Sequence, residues 1–171
     1  MSDETSASIS AVRRDWGQEH RLRYLTSGGA DGHVEDLTAV GGRPFATHCL
    51  IRYRGRKSGK VFITGLCYAD IGGEIVICAS KGGADEHPNW YLNLIAEPTV
   101  DVQVATNAFR ATWREPEGPE RARIWEFFTD CHPFYRAYQD STERLIPLVL
   151  LKPAAAIPVF RIEDATGERQ T

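Results

Sequence analysis

Three consecutive segments rich in β-branched and aromatic residues, separated by turn-forming residues, constrain the fold of this chain most strongly. These segments are residues 48–53, 61–68 and 74–79. Each has the composition and length of a β-strand, and the Gly72-Gly73 pair suits a tight hairpin between the last two. Two alternating segments, 100–104 and 108–114, predict a second hairpin about Thr106-Asn107. Because no strand–helix–strand alternation occurs, we predict a mainly antiparallel sheet closed into a barrel.

Helices are predicted around this sheet from the spacing of apolar side chains and from flanking glycine and proline residues. The predicted helices cover residues 8–26, 87–96, 119–129 and 133–142, and two more strands cover 147–151 and 159–162. The fold class is therefore mainly β with flanking helices (α+β). We divide the chain into an N-terminal helix with its connecting loop (1–46), a barrel domain (47–163) and a loose polar tail (164–171).

Charge and hydropathy argue against several function classes. The net charge is −3, so there is no overall basic field to attract nucleic acid. The apolar stretches are too short or too interrupted by proline to cross a bilayer, and mixed charges on the N-terminal helix make membrane contact the weaker option. The polar N-terminus does not resemble a secretory signal, so we expect a cytoplasmic protein. The sequence contains neither a Rossmann nor a P-loop glycine motif.

The four cysteines do not predict a metal site, because no C-x-x-C pair and no histidine at zinc-ligand spacing accompanies them. Cys49, Cys67 and Cys78 lie in apolar strand-like segments, where a free thiol is usually a small buried hydrophobe. Cys67 alone is a candidate for the exposed, electropositive setting that thiol reactivity requires.

The segment from Arg54 to Pro98 combines features of an anion site with those of a ring-binding site. A basic, glycine-containing turn (54–60) is followed by a second glycine-rich turn (79–84) and by an aromatic helix start (87–93). Cationic side chains and free backbone N–H groups are what a phosphate needs, and aromatic residues beside them suit a planar ring. We therefore predict a site for a phosphorylated, ring-bearing cofactor.

Several motifs, in this order, resemble those of the deazaflavin-dependent nitroreductase family. They are Gly55-Arg-Lys-Ser-Gly59, Ala79-Ser-Lys-Gly-Gly-Ala84, His87-Pro-Asn-Trp-Tyr-Leu-Asn-Leu94, Pro133-Phe-Tyr135, Tyr138-Gln139 and 142–147. The resemblance implies a split antiparallel β-barrel similar to FMN-binding proteins. It also implies an oxidoreductase that transfers hydride from reduced coenzyme F420, a deazaflavin, to a quinone, nitroaromatic or enone. Two alternatives stay open: an FMN-dependent reductase, and a non-catalytic F420 carrier or sensor. The implied partner is a small-molecule acceptor, and the protein is a monomer or a homodimer.

The resemblance also implies roles for individual residues. The implied cofactor contacts are Arg56, Lys57, Ser58, Gly59, Phe62, Gly65, Cys67, Ala79, Ser80, Lys81, Trp90, Tyr91 and Asn93. Tyr135 and Tyr138 are implied to face the acceptor, where their hydroxyls orient an oxygen atom as hydride arrives or donate the proton that completes reduction. No metal ligand is implied.

Each motif also has a purely structural explanation. The basic turn is typical of a solvated hairpin loop, and Lys81 of an exposed lysine at a strand end. Aromatic residues such as Trp90 and Tyr91 commonly pack in the core. Tyr135 and Tyr138, three positions apart in the sequence, share one face of a helix and can simply pack there. The occurrence of all the motifs together favours the functional interpretation.

Some positions depart from the family pattern. Phe62 and Gly65 stand where relatives commonly carry an arginine and a proline-containing strand, and Cys67 and His132 stand where a well-studied branch has tyrosines. Loss of one arginine–phosphate pair costs on the order of 1.5–3 kcal/mol. Arg54 or Lys60 is the candidate to supply the missing charge.

Overall fold

The computed structural model describes residues 16–167, and in this range one curled antiparallel sheet is surrounded by helices. The strands are β1 (Val34–Glu35), β2 (Ala46–Arg54), β3 (Val61–Cys67), β4 (Ala69–Ile71), β5 (Glu74–Cys78), β6 (Thr99–Val104), β7 (Asn107–Arg114) and β8 (Leu148–Ile157). The helices are α1 (16–26), α2 (Asn89–Leu94), α3 (Gly118–Cys131) and α4 (Phe134–Asp140). None of these helices is long and apolar enough to cross a membrane.

The sheet closes because its two ends are parts of one bent strand. The strand order is β1-β2-β6-β7-β8-β5-β4, and β3 pairs with β2 outside this path. Only Tyr68 separates β3 from β4. The Thr47 carbonyl accepts from the Tyr68 N–H at 3.1 Å, and the Thr47 hydroxyl donates to the Tyr68 carbonyl at 2.7 Å. The predicted antiparallel barrel with flanking helices is therefore confirmed.

Both predicted hairpins are present. Gly72 and Gly73 connect β4 to β5 with positive φ angles of 62° and 96°, which glycine adopts without steric cost. The second turn comprises Ala105 and Thr106, one residue earlier than predicted. Ala105 has φ 51°, and its N–H donates to the Tyr24 hydroxyl of α1 at 2.7 Å. A tertiary contact therefore holds this alanine in a left-handed conformation.

Three hydrophobic clusters place the helices around the sheet. α2 packs into the barrel interior through Trp90 and Leu94, while α3 and α4 cover the outside of β5 and β8. α1 covers the outside of β2 and β3. Successive residues of β3 point to opposite sides, so Phe62 lies in the interior cluster and Ile63 lies under α1.

The prediction of a separate strand over 159–162 is wrong. β8 instead continues from Leu148 to Ile157 through Pro153, where a bulge against β7 accommodates a residue that cannot donate to the ladder. Pro158 follows directly, and ladder pairing ends at Ile157. Phe160 is buried by side-chain packing instead, and its N–H donates to the side chain of Gln103 at 2.8 Å.

The description of residues 164–171 as a loose tail is wrong for the part that the structure describes. Asp164 pairs with Arg52 at 2.9 Å, and the N–H groups of Thr166 and Gly167 both donate to the Val61 carbonyl at 2.9 Å. These contacts satisfy backbone groups at the outer edge of β3, which a free strand edge would leave exposed. The start of the predicted helix over 8–26 and residues 168–171 lie outside the described residues.

Candidate functional site

The basic turn between β2 and β3 is anchored on α2. The side-chain oxygen of Asn93 accepts from the backbone N–H of Arg56 at 3.0 Å and from its guanidinium at 2.8 Å. Asn93 is 1% exposed, whereas Arg56, Lys57 and Ser58 are exposed. A buried amide therefore fixes the direction of an exposed basic turn, and it joins two motifs that lie 37 residues apart in the sequence.

Contacts inside the basic turn decide which cations face outward. Gly59 has φ 71° and donates to the Gly55 carbonyl at 2.9 Å, and the Ser58 hydroxyl accepts from the Lys60 N–H at 3.2 Å. The Arg54 guanidinium donates to the Gly59 carbonyl at 2.7 Å. Ser58 and Arg54 thus stabilise the turn, while the backbone of Arg56 is committed to Asn93 and the side chain of Lys57 is exposed.

The second turn, Ala79–Ala84, is organised by Arg144, which the sequence did not single out. Its guanidinium donates to the carbonyls of Ser80 and Ala84 at 2.7 Å and of Ala79 at 3.3 Å. Lys81 has a left-handed φ of 48°, and its ammonium pairs with the exposed carboxylate of Glu86 at 3.0 Å. Nothing in the local spacing marks an arginine that lies 64 residues from its carbonyl partner.

Arg144 also sets the protonation of His87. Its guanidinium donates to Nδ1 of His87 at 3.2 Å, so a neutral His87 carries its proton on Nε2. Burial, and then the charge of Arg144, lower the pKa of His87. His87 is therefore a neutral imidazole near pH 7 whose Nε2–H is a donor at the start of α2.

The tyrosines of α4 pack directly against the second turn. A Cβ on Gly83 would lie 2.2 Å from the Ser141 hydroxyl oxygen and 2.8 Å from the Tyr138 carbonyl oxygen, so only glycine permits this approach. Tyr138 is half-buried, and its ring meets the Tyr135 ring edge-on at 5.4 Å. The second turn therefore contacts Tyr138 of α4, and Arg144 links the same turn to His87 just before α2, at the end of that helix opposite Asn93 and the basic turn.

The three predicted positions on β3 do not lie together. Phe62 lies under the basic turn and stacks on Tyr53 at 5.9 Å. Gly65 lies on the other face under α1, where a Cβ would be 3.3 Å from His20 Nδ1. Cys67 is buried between β3 and α4. The pleat of the strand separates Phe62 from Gly65 and Cys67, because neighbours along it point to opposite sides. Gly65 and Cys67 share the outer face but lie under different helices.

Cys67 does not have the exposed, electropositive setting that thiol reactivity requires. It is buried, and burial raises the pKa of its thiol to about 12. Its sulfur lies 3.5 Å from Nε2 of His48. All four cysteines are free thiols, and the described residues contain no group of three or more side chains placed to hold a metal ion.

Trp90 and Tyr91 both pack in the interior cluster. The Tyr91 hydroxyl donates to the Glu115 carboxylate, and burial raises the pKa of Tyr91. The structural explanation therefore accounts for most of the surface of these two rings, and their contact with a cofactor stays a prediction.

The charges around α2 differ between its two ends. A cleft of about 420 Å³ beside α4 is lined by Asp85, Asp140, Ser141, Thr142, Glu143 and Arg144. Three of these residues are acidic, so this cleft does not suit a polyanion, whereas the basic turn does. α2 has six residues and so spans about 9 Å, which separates the cationic end from the tyrosine end. An elongated ligand with one anionic end and one planar ring fits this arrangement.

Residues 30–153 match the family model described as F420H(2)-dependent quinone reductase. An F420H(2)-dependent quinone reductase of Mycobacterium tuberculosis is 34% identical over 135 residues, which cover 77% of this chain and 86% of that protein. A solved structure of an F420-H2 dependent reductase (FDR-A) is 39% identical and covers 61% of this chain and 93% of its own, with a TM-score of 0.57. A structure described as a domain-swapped dimer is 37% identical and covers 82% and 99%, with a TM-score of 0.60.

Proposed function

Because the chain belongs to the F420H(2)-dependent quinone reductase family, it is an F420-dependent oxidoreductase, and we propose that it reduces a quinone at the tyrosine end of α2. This location of the site rests on the arrangement of two turns at opposite ends of α2. Asn93 anchors the basic turn at one end, and Gly83, in the turn at the other end, packs on Tyr138. Arg56 and Lys57 of the basic turn would then hold the anionic end of the cofactor, and the residues at the other end of α2 would border its ring.

The side chains of the site fit such a cofactor. Arg56 and Lys57 offer exposed cations for its phosphate and polyglutamyl end, and the Asn93 contact orders Arg56 before binding. Ser80 and Lys81 lie beside Tyr138 at the ring end, in a turn whose backbone Arg144 fixes. Lys81 can exchange its exposed partner Glu86 for a cofactor group at little cost, since exposed ion pairs contribute about 0–1 kcal/mol.

The reaction needs two electrons and two hydrogens. Reduced F420 supplies a hydride and a proton overall, and the quinone becomes a hydroquinone while the cofactor returns to its oxidised form. The protein positions the acceptor against the ring and stabilises the oxygen that gains negative charge as hydride arrives. The Nε2–H of His87, the ammonium of Lys81 and the hydroxyl of Tyr138 are the groups at this end that can serve as donors to that oxygen.

Nitroaromatics and enones are proposed as further acceptors. Like quinones, they place an oxygen where negative charge develops during hydride addition, so the same donors serve them. An assay that follows the oxidation of reduced F420 compares quinones, nitroaromatics and enones as acceptors. Oxidation with quinones alone would restrict the proposal to that class.

Cofactor binding is tested by fluorescence titration of the cofactor-stripped protein with F420 and, in parallel, with FMN. We expect saturable binding of F420, about tenfold weaker for Arg56→Met, because one charge-assisted hydrogen bond contributes roughly 1.5 kcal/mol. Arg123→Met removes an exposed arginine from α3 and is the matched control, with unchanged affinity expected. Binding of FMN alone, or of neither compound, would contradict the proposal. Tight F420 binding without oxidation by any acceptor would instead indicate a carrier.

A further inference from the structure

The segment that follows β8 contacts β6, then β2 and finally the start of β3. Phe160 is buried in the cluster under α1, and its N–H donates to the Gln103 side chain of β6 at 2.8 Å. The Arg52 guanidinium of β2 lies 4.5 Å from the centre of the Phe160 ring and pairs with Asp164 at 2.9 Å. These contacts fix the course of residues 164–167, which we call the strap, before it reaches β3.

The strap holds both backbone groups of Val61, the first residue of β3 and the residue directly after the basic turn. The Val61 N–H donates to the Thr166 hydroxyl at 2.9 Å. The Val61 carbonyl accepts from the N–H groups of Thr166 and Gly167, also at 2.9 Å. Three hydrogen bonds therefore fix the outer edge of β3 at the point where the basic turn ends.

The ring of Phe62 lies between the strap and the basic turn. A Cβ on Gly167 would be 2.7 Å from Cδ1 of this ring, and a Cβ on Gly55 would be 2.8 Å from Cε2, on the other edge. Phe62 is 6% exposed and stacks on Tyr53, so the ring cannot move without disturbing its neighbours. The Gly55 N–H in turn donates to the Lys60 carbonyl at 2.8 Å and closes the basic turn. The strap and the turn are therefore in contact through one buried ring.

We propose that Thr166 and Gly167 are positioning residues for the anionic end of the cofactor, because the strap holds Val61 and Phe62, and these residues hold the basic turn. This inference rests on the proposed function and refines it. The two strap residues act through the turn and not by contact with the cofactor. A turn that is held in one conformation before binding loses less conformational entropy when it binds, so its affinity is higher. The contribution of the cofactor ring to affinity does not depend on the strap.

The connection between the strap and the turn is measured by amide hydrogen exchange in the cofactor-free protein, followed by NMR. Gly167→Ala places a methyl group where the Phe62 ring lies, so the strap must move away or push the ring towards the turn. We expect the amides of Val61, Gly55 and Arg56 to exchange at least fivefold faster. The first donates to the strap, and the other two donate hydrogen bonds that hold the basic turn.

The turn between β4 and β5 supplies the internal reference for this experiment. The Gly73 amide donates to the Asp70 side chain there, and its exchange should not change. Faster exchange at Val61 alone would overturn the inference, because the strap would then detach without loosening the basic turn. Unchanged exchange at all the amides followed would overturn it as well.

The role in cofactor binding is measured by fluorescence titration with two ligands that share one ring. The first is F420, and the second is the phosphate-free deazaflavin, which keeps the ring and the ribityl chain but lacks the phosphate and the polyglutamyl end. Thr166→Val removes the hydroxyl that accepts from Val61 and keeps the side-chain shape, and Gly167→Ala displaces the strap. We expect each variant to bind F420 about fivefold more weakly, as for one lost hydrogen bond, and the phosphate-free ligand with less than a twofold change. Thr112→Val changes an exposed threonine of β7 and is the matched control, with unchanged affinity for both ligands.

Equal weakening of both ligands would show that the strap only stabilises the fold, and would overturn the positioning role. Unchanged F420 affinity in both strap variants would also overturn it. Thr166→Ser keeps the hydroxyl and should bind F420 within twofold of the original protein. If the phosphate-free ligand binds too weakly to titrate, Gly167→Ala is compared in an Arg56→Met background. There it should change F420 affinity less than twofold, because a cation through which the turn acts is gone, and a fivefold loss would overturn the role.

The two experiments separate this inference from the proposed function. If the protein binds neither ligand, the proposed function fails. Hydrogen exchange still tests whether the strap holds the basic turn, because it needs no cofactor.

Discussion

Replacing Arg144 with methionine is expected to destabilise the whole protein, because one side chain satisfies several carbonyls of the Ala79–Ala84 turn. Ala79 and Ser80 are both buried. The Ala79 carbonyl oxygen loses a donor that water cannot easily replace, whereas the Ser80 carbonyl keeps the Gly83 N–H at 3.0 Å. A buried acceptor left unpaired costs about 1–3 kcal/mol. The unpaired Ala79 carbonyl, together with the lost charged hydrogen bond to Ser80 at about 1.5 kcal/mol or more, predicts a loss of roughly 2–5 kcal/mol in the free energy of unfolding. Methionine keeps most of the side-chain volume, so a cavity contributes little.

The loss is measured by urea unfolding followed by tryptophan fluorescence, and by thermal unfolding. For a domain of this size each kcal/mol lowers Tm by about 2–4 °C, so a decrease of roughly 5–15 °C is expected. Arg136→Met is the matched control on α4. Its ion pair with Asp130 is half to two-thirds exposed, so its loss should cost less than about 0.5 kcal/mol. Arg144→Lys should recover only part of the loss, because an ammonium cannot span the separate carbonyls that the guanidinium bridges.

A change of less than about 0.5 kcal/mol in Arg144→Met would refute the reasoning. It would mean that water satisfies the carbonyls and that Arg144 does not organise the turn. If Arg144→Met is less stable but binds F420 with unchanged affinity, the stability argument holds, and the Ala79–Ala84 turn is not part of the cofactor site.

Two further predictions concern Lys81 and His48. Lys81 has φ 48°, so Lys81→Gly should be about 1 kcal/mol more stable to urea than Lys81→Ala, and equal stabilities would contradict a left-handed residue there. Burial lowers the pKa of His48 from 6.5 to about 3, so between these pH values the unfolded chain binds a proton that the folded protein does not. Its contribution to stability is therefore complete above pH 6.5 and falls by up to about 1.4 kcal/mol per pH unit below it. Urea unfolding at pH 6.5 and pH 5 should show a smaller decrease in His48→Gln, and an unchanged decrease would count against this assignment.

Local patterns in the sequence were sufficient for most of the barrel. Alternation predicted the strands, Gly72-Gly73 predicted a turn, and the glycines and cations of residues 54–60 predicted an exposed basic loop. These features depend on residues that are close in the sequence, so local sequence patterns are sufficient to predict them. The error at 159–162 has a local cause as well, because β-branched and aromatic residues also bury themselves without joining a ladder.

The contacts that build the candidate site were not predictable in the same way. Arg144 meets the Ser80 carbonyl across 64 residues, Asn93 meets Arg56 across 37, and Cys67 meets His48 across 19. The resemblance to a family implied some of these residues, but it did not pair them. It gave no role to Arg144, which lies in the 142–147 segment, and it left out His48. Such pairs form only once the strands are in register and the barrel has closed.

The sequence by itself determined the fold class, the turns, the local charge and the family to which the chain belongs. The tertiary structure alone decided which residues share a face, which imidazole reaches the Cys67 thiol, and which arginine holds the second turn. The physical reason is that side chains alternate along a strand, so a shift of one residue in register exchanges the two faces. Phe62 under the basic turn and Gly65 under α1 show the consequence, because residues three apart in the sequence serve different surfaces of the protein.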